Sequence, residues 1–556
     1  MSEYIFIGVA WPYANGPLHL GHIAGAYLPA DIFARYHRLK GNKVLMVSGS
    51  DQHGTPITLR AEQENKSPQE VASKFHKEFL DCWQKMGISW DLFTATATEN
   101  HARVVHDIFL NLLEKGYIYK DTMLQAYCPE CRRFLPDRYI EGTCPHCQFP
   151  QARGDQCDEC GRTLNPSDLI GIRCRFCSAT PSFETSEHFF LRLSAFEDKL
   201  KVWVRKQTYW RHNVLNFTLG FLEGGLKDRA ITRDMEWGVS VPQPGFEKKR
   251  IYVWFEAVIG YLSASKEWAK LSGNSAAWEP FWKGEGAKSF YFIGKDNIPF
   301  HTIIWPAMIM GYGGLNLPYD VPANEFLTIE GKKLSTSRNW AVWLPDYLEK
   351  YAPDPLRYLL SIVMPETSDT DFSWREFVRR NNDELVATYG NLAHRVLTFT
   401  QRNLGAVVPT PDELDAESQS LLQKAQTALD TVDRLLYERR FRESIRTAMA
   451  LAQEANRYLD STSPWKVLKQ DRQAAANSIY VVFSVLSALK TMLYPSLPFS
   501  SQKLHNYLGF EGKIEDAGWK LQSPQPGQKL PPPEPLFTKL DDSIVVEETN
   551  RIGVVR

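Results

Sequence analysis

Eight of the chain's nine cysteines stand in four Cys-x-x-Cys pairs: Cys128/Cys131, Cys144/Cys147, Cys157/Cys160 and Cys174/Cys177. Each such turn presents two thiolates to one ion, and two turns complete a tetrahedron, so Zn2+ in one or two sites is expected. Three groupings of four pairs into two sites are possible, and spacing does not choose among them. The pairs leave no apparent open ligand position, which makes the sites structural. A second constellation is "HLGH", with His19 and His22 just after the apolar run Ile5 to Val9. Exposed N–H groups at a helix start favour anions. Two imidazoles one helical turn apart add directed donors that can follow a phosphate as its geometry changes. A third stretch, "TIEGKKLSTSRNWAVW" from Thr328 to Trp343, carries two lysines, several hydroxyls and a glycine. It reads as a movable loop, with Gly331 as hinge and lysine as point charge for a polyphosphate.

Positioning these groups requires a scaffold, and 556 residues exceed one core, so three or four domains are expected. "YIFIGVA" reads as a strand, "HIAGAYLPADIFARYHRLKG" as a helix ended by Gly41, and "KVLMVSGSD" as a second buried strand. Helices follow over 67–86 and 100–115. This βαβ pattern implies an α/β, Rossmann-like parallel sheet with ligands at the carboxyl ends of its strands. The cysteine-rich segment interrupts the sheet, and strand-like runs resume with "RIYVWFEAVIGY" and "SFYFIGKD". From about Asn381 the apolar spacing becomes helical, at Leu421, Ala425, Leu429 and Val432 and again at Ile445, Ala448, Ala452 and Leu459, which is a helical bundle. "SPQPGQKLPPPEPLF", Ser523 to Phe537, reads as an extended connector.

The net charge of −1 gives no global field toward nucleic acid, so any such contact must be local. The N-terminus lacks a basic n-region, and the apolar run Ile479 to Leu489 falls short of a membrane span. A cytoplasmic protein without a membrane partner is expected.

An early histidine pair and a lysine loop some three hundred residues later resemble the HIGH and KMSKS motifs of class I aminoacyl-tRNA synthetases, here as "HLGH" and "KLSTS", Lys333 to Ser337. "AWPYANG", "SGSDQHGTP", "YVWFEAVIGY", "FIGKDNIPFH" and "KLSTSRNW" are similar to the methionine-specific family of that class, in order along essentially the whole chain. The resemblance implies activation of methionine by ATP, accompanied by Mg2+, and transfer to initiator and elongator tRNA(Met). It implies catalytic roles for His19, His22 and Lys333, with Lys295, Asp296, Ser335 and Thr336 also on ATP and Arg233 at a polar active-site position. Methionine would lie among Ala10, Trp11, Tyr13, Trp254, Ala257, Tyr261 and His301, its ammonium on Asp51. An aromatic pocket suits a polarizable thioether, and a buried carboxylate suits an ammonium. Asn391, Arg395 and Trp465 would read the anticodon, and the zinc sites would be nested, Cys144, Cys147, Cys157 and Cys160 inside Cys128, Cys131, Cys174 and Cys177.

The family pattern also sets the expected boundaries. Residues 1–116 and 231–322 form the two halves of the catalytic domain, and 117–230 the zinc-bearing insertion. Residues 323–380 carry the KMSKS element, 381–522 the anticodon-binding bundle, and 523–556 the connector and tail. Without the oligonucleotide-binding appendage that dimerises some relatives, a monomer is expected. Thr336 departs from the family in replacing its second lysine, a charge that Lys332 is the nearest residue to supply. Rival readings are another class I synthetase, or a non-catalytic zinc-dependent RNA-binding protein on the same fold. A relative specific for isoleucine, leucine or valine would carry a larger insertion.

Overall fold

The structure, a computed structural model, describes residues 2–554 apart from 137, 138, 155, 156, 158, 161, 163, 165 and 337. Strand β1 (Tyr4–Val9) is followed by a short helical turn, α1 (Leu28–Leu39) and β2 (Lys43–Ser50). Helix α1 ends where Gly41 turns to φ 76°, a conformation that favours glycine. Helix α2 (Pro68–Met86) starts on a capping box in which Ser67 and Glu70 satisfy each other's backbone N–H. Then come β3 (Leu92–Ala95) and α3 (Glu99–Glu114).

The chain leaves this sheet at β4 (Ile118–Cys128), which runs antiparallel to β5 (Ser182–Leu191) as a long ribbon bearing the cysteine-rich segment. It returns through α4 (Val253–Leu271), β6 (Lys288–Gly294) and β7 (Ala323–Asn324). The strand order is β7-β6-β1-β2-β3, and every neighbouring pair is parallel. Beginning at β1, the chain fills one side of the sheet first and then comes back to the other. The order therefore reverses between β1 and β6, and in open α/β sheets the crevice at such a switch point binds ligands.

Two sequence expectations need correction here. "RIYVWFEAVIGY" is strand only at Lys249–Ile251; from Val253 it is α4. A helix buried on most of its surface shows no clear apolar stripe, so its pattern mimics a buried strand. The first part of the lysine stretch is a strand pair and not loop. Strands β8 (Leu327–Ile329) and β9 (Lys332–Lys333) form a hairpin, and β8 also pairs with β10 (Thr370–Phe372). Glu330 and Gly331, at φ 50° and 72°, make the two-residue turn whose twist suits a hairpin.

The C-terminal region packs α5 (Ala416–Tyr437), α6 (Phe441–Thr462) and α7 (Arg472–Leu493) through the apolar positions read from the sequence. By length and composition α7 is apolar enough to cross a membrane, contrary to the short run seen in the sequence, but 89% of its most apolar window is buried inside the protein, as in the core helix of a bundle. The bundle is keyed to the sheet by a buried charge cluster: Asp31 on α1 pairs with Arg35 at 2.9 Å and Arg357 at 2.6 Å, and Arg35 reaches Tyr494 at 2.8 Å. The connector lies along the bundle, with Leu530 N–H donating to Ala406 O at 2.9 Å, and leads to α8 (Ser543–Thr549).

Candidate active site

His19 and His22 lie just beyond the carboxyl end of β1, at the switch point. His19 is the N-cap of the turn Leu20–His22, and its N–H donates to His22 Nδ1 at 3.2 Å. His22 Nδ1 is therefore unprotonated, and the proton of the neutral ring sits on Nε2, which is a donor. The two rings stack with centroids 3.6 Å apart. Burial lowers the pKa of His22 to about 4 and holds His19 well below the usual imidazole value, with His22 beside it adding to the effect. The pair thus acts at neutral pH as two directed hydrogen-bonding groups and not as two cations. His19 Nδ1 is buried without a partner, an orphan that a ligand would satisfy.

The hairpin closes against this turn. A Cβ at Gly21 would lie 3.2 Å from Leu334 Cδ1, so glycine lets the KLSTS stretch seat directly on the HLGH turn. Leu20 N–H donates to Val342 O at 3.2 Å, and His19 is bridged to Trp343. Because side chains alternate along β9, its two lysines part company. Lys332 Nζ lies 4.3 Å over the ring of Trp340, whereas Lys333 Nζ is 5.9 Å from the centre of Phe326. Lys295 lies 3.9 Å over the same Phe326 and pairs with Glu325 at 2.7 Å and Asp369 at 3.1 Å. Burial costs the Lys295 charge, but these two carboxylates more than offset it and raise its pKa. Burial also raises Asp296, against the pull of Lys295 and Lys333. Lys333, Lys295 and Asp296 therefore gather around Phe326, at the start of the strand pair that leads into the stretch seated on the HLGH turn. Lys332 is engaged with the Trp340 ring, and Thr336 is exposed. Ser335 pairs with Trp340, and Ser337 lies outside the described residues.

Beside this cleft the aromatic residues assemble. Trp11 fits between glycines: a Cβ at Gly49 would sit 2.3 Å, and one at Gly260 2.7 Å, from its ring. Its Nε1 is buried and unpaired. Trp254, Ala257 and Tyr261, at helical spacing, share one face of α4. Tyr13 meets Trp254 edge-on at 6.1 Å, and Trp254 stacks on Phe300 at 4.2 Å. Tyr261 OH bonds His301 Nε2 at 2.7 Å, while His301 Nδ1 faces Asn297 O at 2.9 Å. The carbonyl fixes the proton on Nδ1, so Nε2 accepts from Tyr261; burial keeps this imidazole neutral, with a pKa near 4. Ala10, whose carbonyl accepts from Tyr27 OH at 2.9 Å, continues β1 into the pocket. Asp51 is bridged to Tyr13, and burial, then the neighbouring Glu256, raises its pKa well above the usual range.

Sequence reasoning missed the buried network behind this wall. Glu256 takes His53 Nδ1 at 2.8 Å and His101 Nε2 at 3.3 Å, and His101 Nδ1 bonds Ser263 Oγ at 2.9 Å. His53 was in view as part of "SGSDQHGTP", but its partner lies 203 residues away, and no local signal joins them. Arg233 is at the mouth of the pocket with Tyr13, His53 and Trp254, held by the carbonyls of Ala230 and Thr232 at 3.0 and 2.8 Å and stacked 4.0 Å over Tyr252.

The eight paired cysteines gather into two groups, Cys128, Cys131, Cys174 and Cys177, and Cys144, Cys147, Cys157 and Cys160; within each, the sulfurs lie within 4.8 Å of one another. Tetrahedral zinc thiolates stand about 3.8 Å apart; the sulfur pairs here are 3.3 Å (Cys128–Cys177) and 3.9 Å (Cys131–Cys174) in one group, and 3.5 Å (Cys147–Cys157) and 3.9 Å (Cys144–Cys160) in the other. The donor sets fit Zn2+. The surrounding core is small, with Leu135, Tyr139, Ile140 and Leu164 among its members, which suits a metal-braced module. Far from the cleft, Arg395 lies 4.5 Å over the exposed ring of Trp465, and Asn391, one turn back, is exposed on the same helix.

A parallel sheet with an imidazole pair at its switch point, capped by a lysine hairpin, is the architecture of a class I tRNA synthetase. The family model described as "tRNA synthetases class I (M)" matches residues 5–397, and the "anticodon binding domain of methionyl tRNA ligase" matches 408–556. The chain belongs to the methionine–tRNA ligase family, ATP-dependent aminoacyl-tRNA ligases. A methionine–tRNA ligase of Dehalococcoides mccartyi is 64% identical over 100% of both chains, and that of Thermomicrobium roseum 51% identical over 99% of both. The solved methionyl-tRNA synthetase of Mycobacterium tuberculosis, in complex with methionyl-adenylate, is 25% identical with a TM-score of 0.80, covering 97% of this chain and 100% of that one.

Proposed function

We propose that the chain activates methionine with ATP in the cleft between His19 and Lys333 and then charges tRNA(Met). The methionine carboxylate attacks the α-phosphorus, the bond to the bridging oxygen breaks, and pyrophosphate departs. The nucleophile is already an anion, so no protein base is needed and catalysis is positioning and charge stabilisation. His19 and His22 donate to the phosphate, Lys333 neutralises the departing pyrophosphate, and Lys295 with Asp296 flanks the nucleotide, where Ser335 and Thr336 offer hydroxyls. Mg2+ accompanies ATP. Ala10, Trp11, Tyr13, Trp254, Ala257, Tyr261 and His301 enclose the thioether side chain, and Asp51 holds the ammonium. The terminal ribose hydroxyl of tRNA then attacks the carbonyl, releasing AMP. Asn391, Arg395 and Trp465 stack on and hydrogen-bond to the splayed anticodon bases. The enzyme works as a cytoplasmic monomer.

The observation that supports this reading is the close approach of Leu334 to Gly21, which sets the lysine-bearing stretch directly against the turn that carries the imidazole pair. Amino-acid-dependent ATP–pyrophosphate exchange tests it: methionine supports exchange, and isoleucine, leucine, valine and cysteine do not. Lys333→Ala slows adenylate formation at least about tenfold, roughly 1.4 kcal/mol in the barrier. An unchanged single-turnover rate removes Lys333 from the mechanism.

Zinc braces both cysteine clusters. Cobalt-substituted protein gives thiolate-to-metal bands for two sites; Cys128→Ser with Cys131→Ser halves them, leaving the inner site intact. Loss of both sets of bands would mean that the two sites are not independent.

A further inference from the structure

The segment beyond the connector returns to the active site. Helix α8 carries Glu548, whose carboxylate is only 9% exposed and accepts from Lys350 Nζ at 2.8 Å, Tyr351 OH at 3.0 Å and Arg551 Nη1 at 2.7 Å. This buried, triply bonded anion fixes α8 to the helix Leu344–Lys350 that follows the KLSTS turn. Past it Ile552 is buried, and Gly553 N–H donates to Asn339 O at 2.9 Å. Asn339 Nδ2 donates to the carbonyl of Val554. At φ 83°, with a Cβ that would lie 3.1 Å from Trp340 Cε3, Gly553 is a position where the tail can lie flat on the turn only because it has no side chain.

Asn339 hands this contact on. It sits in the left-handed region at φ 51°, and its Oδ1 accepts from Trp343 Nε1 at 2.7 Å. Trp343 is in turn bridged to His19 and meets its ring at 6.0 Å. One line of direct contacts therefore runs from Gly553 and Val554 through Asn339 and Trp343 to the imidazole pair. Trp340, against which Gly553 lies, also carries Lys332 over its ring, so the tail holds the turn through Asn339 and Trp340 while Lys333 is directed to Phe326 instead.

We propose that Glu548 to Val554 is a strap that positions the KLSTS turn for adenylate formation, with Asn339 and Trp343 as the positioning residues that transmit its hold to His19. The turn must carry a lysine to a reacting phosphate, and misplacement by about 1 Å can cost a hundredfold in rate. A backbone-gripped turn is held in register without any strap atom entering the cleft. The inference rests on the adenylate-forming role proposed above.

The test compares full-length protein with Gly553→Val, Glu548→Ala and Asn339→Gly, the last keeping the left-handed backbone while removing the amide. All three should lower the turnover of methionine-dependent pyrophosphate exchange by roughly tenfold while the KM for methionine stays within about twofold. Amide hydrogen exchange over 332–343 should accelerate, with protection of β1 and β6 unchanged, a split that general destabilisation would not give. Unchanged turnover together with unchanged protection of the turn overturns the strap, as does a loss of protection spread evenly over the sheet. If the unsubstituted protein showed no methionine-dependent exchange, the proposed activity would fall, while protection of the turn would still report whether the strap holds it.

Discussion

Replacing His19 by alanine lowers the rate of pyrophosphate exchange by roughly a hundredfold to a thousandfold and leaves the KM for methionine nearly unchanged. The magnitude is that of one preorganised donor removed from a site where charge redistributes in the transition state. With the rings stacked 3.6 Å apart, burial holds both imidazoles neutral, and His22 beside it adds to the effect on His19, so the pair is expected to work as two donors and not as two positive charges. That difference is measurable. An imidazolium pair would make exchange faster as the medium is acidified through the ordinary value of 6.5; with His22 near 4, kcat/KM for ATP shows no imidazole titration of that kind between pH 6 and 8. The same shift bears on stability. Below 6.5 the unfolded chain takes up a proton that folded His22 refuses until about pH 4, so this residue's contribution is full above 6.5 and is lost as the pH falls through that window. A rate that rises steadily from pH 8 to pH 6 would show that the pair is charged in the working enzyme.

What could be read in the sequence follows from how local each signal is. The HLGH turn was legible because strand, cap and helix occupy one continuous stretch, and the apolar spacing of α5 and α6 because each helix has a wet face that makes its period visible. Helix α4 was misread because it has almost no wet face. Lys332 and Lys333 could not be told apart as adjacent letters; a two-residue turn at Glu330–Gly331 had to form a hairpin before alternation sent one to Trp340 and the other toward Phe326. The four Cys-x-x-Cys turns announced a metal, but their grouping depends on how the β4–β5 ribbon folds back. Glu256 with His53 and His101, and the return of Gly553 to Asn339, are pairings across 155 residues or more that no periodicity encodes. The site is thus written in short motifs, and its support in long-range contacts.

Asp51→Asn raises the KM for methionine by about a hundredfold, as truncating one partner of a buried, hydrogen-bonded charge pair costs 2–5 kcal/mol. The substitution is isosteric and leaves the backbone bonds of this residue, Asp51 N–H to Pro12 O and Ala14 N–H to Asp51 O, both at 2.8 Å, untouched. Its effect on folding is therefore small. The ligand-free carboxyl is held high by burial and then by Glu256, so part of the methionine binding energy is spent in ionising it. Around it Glu256 is itself pushed up by burial but drawn down, on balance, by His53 and His101, which keeps the second carboxylate charged and the first reluctant. An arriving ammonium reverses that reluctance and lowers the Asp51 pKa. Linkage then fixes the sign: binding releases a proton from this carboxyl, so methionine affinity strengthens as the pH rises toward the raised Asp51 value and levels off above it. Calorimetric titration of methionine at a series of pH values reads both the affinity and the proton released. In Asp51→Asn the affinity falls and the pH slope disappears together. Should the slope survive the substitution, the titrating group is one of the Glu256, His53 and His101 network, and the ammonium is held from there.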